Sequence, residues 1–119
     1  MKLLIADDSE LLRQNFRKLL DGSATITAII EASTVIDTLQ QVKAARPDVL
    51  VLDIHLPDGS GFDVLHAIFD TPQEFQPTVI VFTNFPSELN RRKSYALGAR
   101  FFFDKSNEYE QLIELLESL

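Results

Sequence analysis

Four short apolar runs, each leading into a residue suited to handling phosphate or a hard cation, constrain this chain more than any other feature. Leu3-Leu4-Ile5-Ala6 leads into Asp7-Asp8, Val49-Leu50-Val51-Leu52 into Asp53, Val79-Ile80-Val81-Phe82 into Thr83, and Phe101-Phe102-Phe103-Asp104 into Lys105. Strand and helix patterns alternate from end to end, which predicts a doubly wound α/β domain built from βα units. If the runs are neighbouring parallel strands, their carboxyl ends share one edge, and open α/β sheets place their sites in the crevice outside that edge. Three carboxylates, a hydroxyl and an ammonium would then converge.

The spacing predicts strands over about Lys2 to Ala6, Thr25 to Glu31, Val49 to Leu52, Thr78 to Phe82 and Phe101 to Phe103. Helices are predicted over about Ser9 to Leu20, Thr34 to Ala45, Phe62 to Phe69, Ser87 to Leu97 and Asn107 to Ser118. In the first helix Leu11, Leu12, Phe16, Leu19 and Leu20 recur at helical spacing, and Asp8 or Ser9 is placed to cap it. Leu39 and Val42 face inward in the second helix, which Arg46-Pro47 ends because the residue before a proline disfavours helix. Val49 to Leu52, apolar at every position, reads as the middle strand, covered on both faces. His55 to Gly61 reads as loop, and Leu112, Leu115, Leu116 and Leu119 form the apolar stripe of the last helix.

With 119 residues, 45 % of them hydrophobic, the chain reads as a single domain with a real core and no second, output domain. A formal charge of −7 argues against direct contact with nucleic acid, which requires clustered Lys and Arg. The absence of cysteine excludes disulfides, thiol catalysis and thiolate metal sites. No apolar stretch approaches the roughly 18 residues needed to span a bilayer, and Asp7, Asp8 and Glu10 interrupt any signal-peptide pattern. The reading is a soluble, cytoplasmic domain.

Mg²⁺ favours oxygen ligands and is commonly held by one or two carboxylates, often together with a substrate phosphate. Asp8 and Asp53 are placed to supply those carboxylates, Asp7 to act through a bound water, and the backbone carbonyl of His55 to complete the shell. Three carboxylates and one ammonium sum to −2, which one Mg²⁺ neutralises. Taken singly, Asp7 or Asp8 reads as a helix cap, Thr83 as a strand-end hydroxyl and Lys105 as a surface lysine. Asp53 is harder to place blandly, because a carboxylate ending an apolar central strand is costly unless something pairs with it. His55 and His66 are weak signals, Arg91-Arg92-Lys93 reads as a solvated helix face, and Phe101 to Phe103 as buried strand.

These residues resemble a response-regulator receiver domain of two-component signalling over essentially the whole chain. The resemblance rests on Asp7-Asp8, the strand ending at Asp53, the loop Leu56-Pro57-Asp58-Gly59-Ser60-Gly61, Thr83, and Gly98-Ala99 before an aromatic strand and Lys105. It implies a flavodoxin-like five-stranded parallel sheet of order 2-1-3-4-5 with five helices. It further implies that Asp53 takes a phosphoryl group from a sensor histidine kinase or phosphotransfer protein. Mg²⁺ (or Mn²⁺) would be held by Asp8, Asp53 and the His55 carbonyl, with Asp7 behind them. Lys105 and Thr83 would contact phosphoryl oxygens. By the same resemblance Thr83 and Phe102 form the switch, the fourth helix, fifth strand and fifth helix present a face to a downstream protein, and phosphorylation can drive homodimer formation.

Several residues depart from the family's pattern. Asn84 replaces the usual small residue after the threonine and is expected to alter access to Asp53. Ser106 stands where proline is frequent after Lys105, so a trans bond is expected. Phe101 occupies a common glycine position and is expected to add bulk beside the switch ring, while Phe102 lacks the hydroxyl of the frequent tyrosine. Two other classes remain: a non-phosphorylated pseudo-receiver that only docks partners, and an aspartyl-nucleophile phosphatase. A flavin site is disfavoured by the carboxylates at the sheet edge.

Overall fold

The computed structural model of the chain describes residues 1–70 and 75–119. In chain order its elements are β1 Lys2–Ala6, α1 Glu10–Leu19, β2 Ala28–Ala32, α2 Val35–Ala45, β3 Val49–Leu52, β4 His55–Leu56, β5 Gly59–Ser60, α3 Gly61–Phe69, β6 Thr78–Thr83, α4 Glu88–Ala96, β7 Phe101–Asp104 and α5 Tyr109–Ser118. The main sheet is entirely parallel, in the order β2-β1-β3-β6-β7. Leaving aside the two-residue strands β4 and β5, this is the expected 2-1-3-4-5 order of a flavodoxin-like fold with five helices. All four residues of β3 are buried, as its uninterrupted apolar run requires of a strand covered on both faces.

Alternation along the strands splits the core in two. Leu4, Leu50, Leu52, Val79, Val81 and Phe102 face one side and meet Val42, Leu65 and Ile68 from α2 and α3. Leu3, Ile5, Val51, Ile80 and Phe82 face the other and meet Phe16 and Leu20 from the α1 side and Leu112 and Leu116 from α5. Phe16 is fully buried, edge-on to Phe82 with ring centroids 6.0 Å apart, so its truncation to Ala would cost about 3–5 kcal/mol. Leu11, Leu19 and Leu119, expected on apolar stripes, are exposed; the first two lie beyond the arc of α1 that meets the sheet.

Three boundaries differ from expectation, the first and last because a side chain competes for backbone hydrogen bonds. β2 starts at Ala28 rather than Thr25, since the Ser23 hydroxyl accepts from the N–H groups of Thr25 and Ile26 and turns the chain there. The segment from His55 to Gly61 is an antiparallel pair, β4 with β5, closed by Pro57-Asp58. Gly61 already belongs to α3, capped by Ser60 and Asp63 in a reciprocal capping box. α5 begins at Tyr109 rather than Asn107, because the Asp104 carboxylate accepts from Ser106 N–H and the Asn107 amide while Glu108 accepts from Asp104 N–H. Ser9 caps α1, accepting from Leu12 N–H, and Arg46 ends α2 in the left-handed region at φ 49°.

Candidate functional site

Parallel registry brings the chemistry to one edge. Ala6 is level with Leu52 and Leu52 with Val81, while Thr83 is level with Asp104. One residue further on, the ladder continues: Asp7 N–H donates to Ala32 O at 3.0 Å, Asp53 N–H to Ala6 O at 3.0 Å, and Lys105 N–H to Thr83 O at 2.9 Å. The backbones of Asp7, Asp53 and Lys105 are thus fixed by the sheet. Arg13 adds a tie that sequence reasoning missed, donating to the Asp7 carbonyl at 2.6 Å and to Glu31 at 2.9 Å.

Lys105 Nζ lies 2.6 Å from Asp7 Oδ2 and 3.0 Å from Asp53 Oδ2. Asp7 and Asp53 are buried and Asp8 is exposed, and the three can bring carboxylate oxygens within 4.8 Å of one another. Burial pushes the Asp53 carboxyl above its usual range, with the Asp7 charge adding and Lys105 opposing. Burial would lower the Lys105 ammonium, yet its contacts with Asp7 and Asp53 outweigh that and raise it. Clustered hard oxygen donors with a surplus of negative charge suit Mg²⁺ or Mn²⁺ and no soft metal.

Residues 3–117 match the family described as response regulator receiver domain. The chain belongs to that family. Receiver domains are signalling domains of two-component response regulators rather than conventional enzymes. Among relatives, the sensory transduction protein LytT of Enterococcus faecalis is 29% identical over 117 residues, spanning 98% of this chain and 47% of that protein. The oxygen regulatory protein NreC of Staphylococcus epidermidis is 31% identical over 114 residues, spanning 95% of this chain and 51% of that protein. This receiver domain therefore covers about half the length of these curated relatives. A receiver domain of a DNA-binding response regulator from Colwellia psychrerythraea superposes with TM-score 0.88 at 24% identity, covering 99% of this chain and 96% of that one. The Mn²⁺-bound form of response regulator Rcp1 superposes with TM-score 0.82 at 21% identity, covering 98% and 89%. Both show the shared fold.

In this receiver domain Thr83 closes β6, is fully buried, and accepts the Phe85 N–H at 3.0 Å, so its hydroxyl closes its own turn. The His55 N–H reaches Asp53 Oδ1 at 3.5 Å, a long contact that places this backbone beside the carboxylate. Asn84 is exposed, and the bulky neighbour is Phe85, whose ring packs 4.1 Å from that of His55. Phe101 does not crowd Phe102: successive strand residues face opposite ways, and Phe101 stacks on Phe103 across the sheet from it. The Lys105–Ser106 bond is trans. His66 pairs with Asp70 at the surface, 2.6 Å apart. The cationic run on α4 lies largely on a solvated face, as read, with Arg92 and Lys93 exposed and Arg91 half-buried, and the structure adds that Arg91 and Lys93 each lie over an aromatic ring.

Asp58 and Gly61 serve the site indirectly. The Asp58 carboxylate accepts from Val35 and Ile36 N–H at 2.7 and 3.1 Å, tying the loop after Asp53 to the start of α2. A Cβ at Gly61 would lie 2.4 Å from the Asp53 carbonyl oxygen, so only glycine fits. The Pro-Asp-Gly turn signature was the one local hint of these roles.

Proposed function

We propose that Asp53 is the phosphoacceptor of this receiver domain, taking a phosphoryl group from a phosphohistidine of a sensor kinase or phosphotransfer protein. The observation that carries this reading is the pairing of buried Asp53 with Lys105 at 3.0 Å beside two further carboxylates. In the transfer the phosphorus–nitrogen bond breaks as a bond to an Asp53 oxygen forms. Asp8, Asp53 and the His55 carbonyl would hold Mg²⁺ or Mn²⁺, with Asp7 acting through water. When bound, the cation offsets charge on the oxygens around phosphorus.

Each residue has a defined part. Asp53, fixed at the end of the middle strand, presents a carboxylate oxygen in line. Lys105 moves its hydrogen bond from Asp53 Oδ2 to a phosphoryl oxygen while keeping Asp7. Thr83 gives up the Phe85 N–H and donates its hydroxyl to another phosphoryl oxygen, which favours the inward position of the Phe102 ring, buried already in the unphosphorylated chain. Water later hydrolyses the mixed anhydride and resets the domain.

The altered surface is that of α4, β7 and α5, which presents itself to a downstream protein or to a second copy. α4 suits a moving part: Ser94 is its one buried residue, and Leu89 and Tyr95 are exposed. We read residues 1–119 as receiver throughout, acting in the cytoplasm, with any nucleic-acid contact made elsewhere than on this acidic surface. Among the described residues no helix is long and apolar enough to cross a membrane.

Intact mass after incubation with Mg²⁺ and a small phosphodonor tests the reading. One labile phosphoryl addition is expected, absent without Mg²⁺ and absent in Asp53→Asn. No addition, even with candidate kinases supplied, would leave a docking module that has lost the chemistry.

A further inference from the structure

α4 carries three consecutive cations, and they do three different things. Arg92 pairs with Glu88 one turn back at 3.2 Å, on the solvent side. Lys93 Nζ lies 4.4 Å from the centre of the Phe62 ring on α3. The Arg91 guanidinium carbon lies 4.8 Å from the centre of the Phe102 ring on β7. Both distances fall within the roughly 6 Å over which a cation is attracted to a ring face. Residues two apart on a helix diverge by about 200°, so Arg91 and Lys93 reach different elements.

This arrangement bears on how α4 is held. Its buried Ser94 hydroxyl is spent on Asn90 O of the same helix, and apolar anchoring comes mainly from the partly buried Leu97 at its end. The cation–ring contacts of Arg91 and Lys93 add ties from α4 to β7 and α3. Phe102 in turn is only 3% exposed and has no hydroxyl to hydrogen-bond. Arg91 forms no ion pair with any described residue, and its guanidinium lies over the Phe102 ring face instead.

We propose that Arg91 is a positioning residue for the Phe102 switch: its guanidinium holds the ring in the buried position and thereby sets how far the unphosphorylated domain already populates the inward arrangement that phosphorylation favours. The inference rests on the proposed switching role of Phe102. A ring that rotates away gives up its face contact with the cation, and that differential contact is what a two-state element needs in order to be biased. A cation over phenylalanine at a partly exposed site shifts such an equilibrium about two- to fivefold.

The test places 4-fluorophenylalanine at position 102 and reads the ring's two environments by ¹⁹F exchange in the unphosphorylated protein. Arg91→Met is expected to raise the minor, rotated population about two- to fivefold, and Arg91→Lys to restore much of the native value. A trifluorinated ring at 102, whose face no longer attracts a cation, should reproduce the Arg91→Met effect in the native background and add nothing to it in Arg91→Met. A merely steric role for Arg91 would instead leave the two changes additive. Equal populations in native and Arg91→Met proteins, or additivity of the two changes, overturns the latch. Phosphoryl uptake by mass is measured in parallel. Uptake without the population change sinks the latch alone, whereas the population change without uptake supports the latch and sinks the phosphoacceptor reading.

Discussion

Lys105 and Asp53, 52 residues apart in the chain, meet at 3.0 Å between Nζ and Oδ2. The contact compensates Asp53 only in part, because the same ammonium also serves Asp7 at 2.6 Å. Burial, the leading cause, therefore leaves the Asp53 carboxyl raised. A raised folded-state value means that folding favours the protonated form. That relative stability is complete below the unfolded value of about 3.9 and is lost as pH rises through the folded value. In metal-free buffer at pH 7, Asp53→Asn is thus expected to melt a few degrees above the native protein. The gain should shrink as pH falls to 3.5 and below. Thermal melts across pH check it; a mutant less stable at pH 7 would contradict the assigned balance of burial and pairing.

In the proposed site Mg²⁺ would bind only the folded arrangement of the three carboxylates, so it should raise the melting temperature. At a hundredfold excess over its dissociation constant the stabilisation is about 2.7 kcal/mol, or roughly 10 °C for a domain of this size. In Asp53→Asn the rise should be clearly smaller at the same concentration. Equal shifts in the two proteins would remove Asp53 from the cation site.

Gly61→Ala would push a methyl group to 2.4 Å from the Asp53 carbonyl oxygen and 3.1 Å from Ile54 Cα. Both neighbours are backbone and cannot swing aside. A loss of about 1–3 kcal/mol is expected, together with slower phosphoryl uptake because the strain falls on the peptide that aims Asp53. Denaturant titration and the mass assay check the two parts. Native-like stability would show that β3 gives way freely at its end.

The bonds from Val35 and Ile36 N–H hold the Asp58 carboxyl below its usual range, that from Val35 being the main cause. A lowered folded value gives stability that is present above the unfolded value and lost as pH falls through the folded one. Asp58→Ala should therefore speed amide exchange at Val35 and Ile36 at neutral pH, with Thr34 left as the cap of α2. Unchanged protection at both amides would mean that Asp58 contributes nothing to the cap.

The elements most legible in the sequence were those with a strong local period. Val49 to Leu52 could only be a strand covered on both faces, and its place at the centre of the sheet followed. The site was legible for a related reason: Asp7, Asp53 and Lys105 each directly follow a strand, so parallel pairing brings them to one edge. Local reading failed where a short polar side chain redirected the backbone, as Ser23 does before β2 and Asp104 before α5. The ring contacts of Arg91 and Lys93 were not legible either, because their spacing is that of an ordinary charged helix face.

By itself, then, the sequence determined the alternation of strands and helices, the central strand and the set of groups at the sheet edge, because each depends on neighbours a few residues away. The tertiary structure alone decided that Lys105 is shared between Asp7 and Asp53, that Asp58 caps α2 and that Arg91 covers Phe102. Those contacts join different elements, and their partners are set by how helices seat on a twisted sheet rather than by any periodicity along the chain.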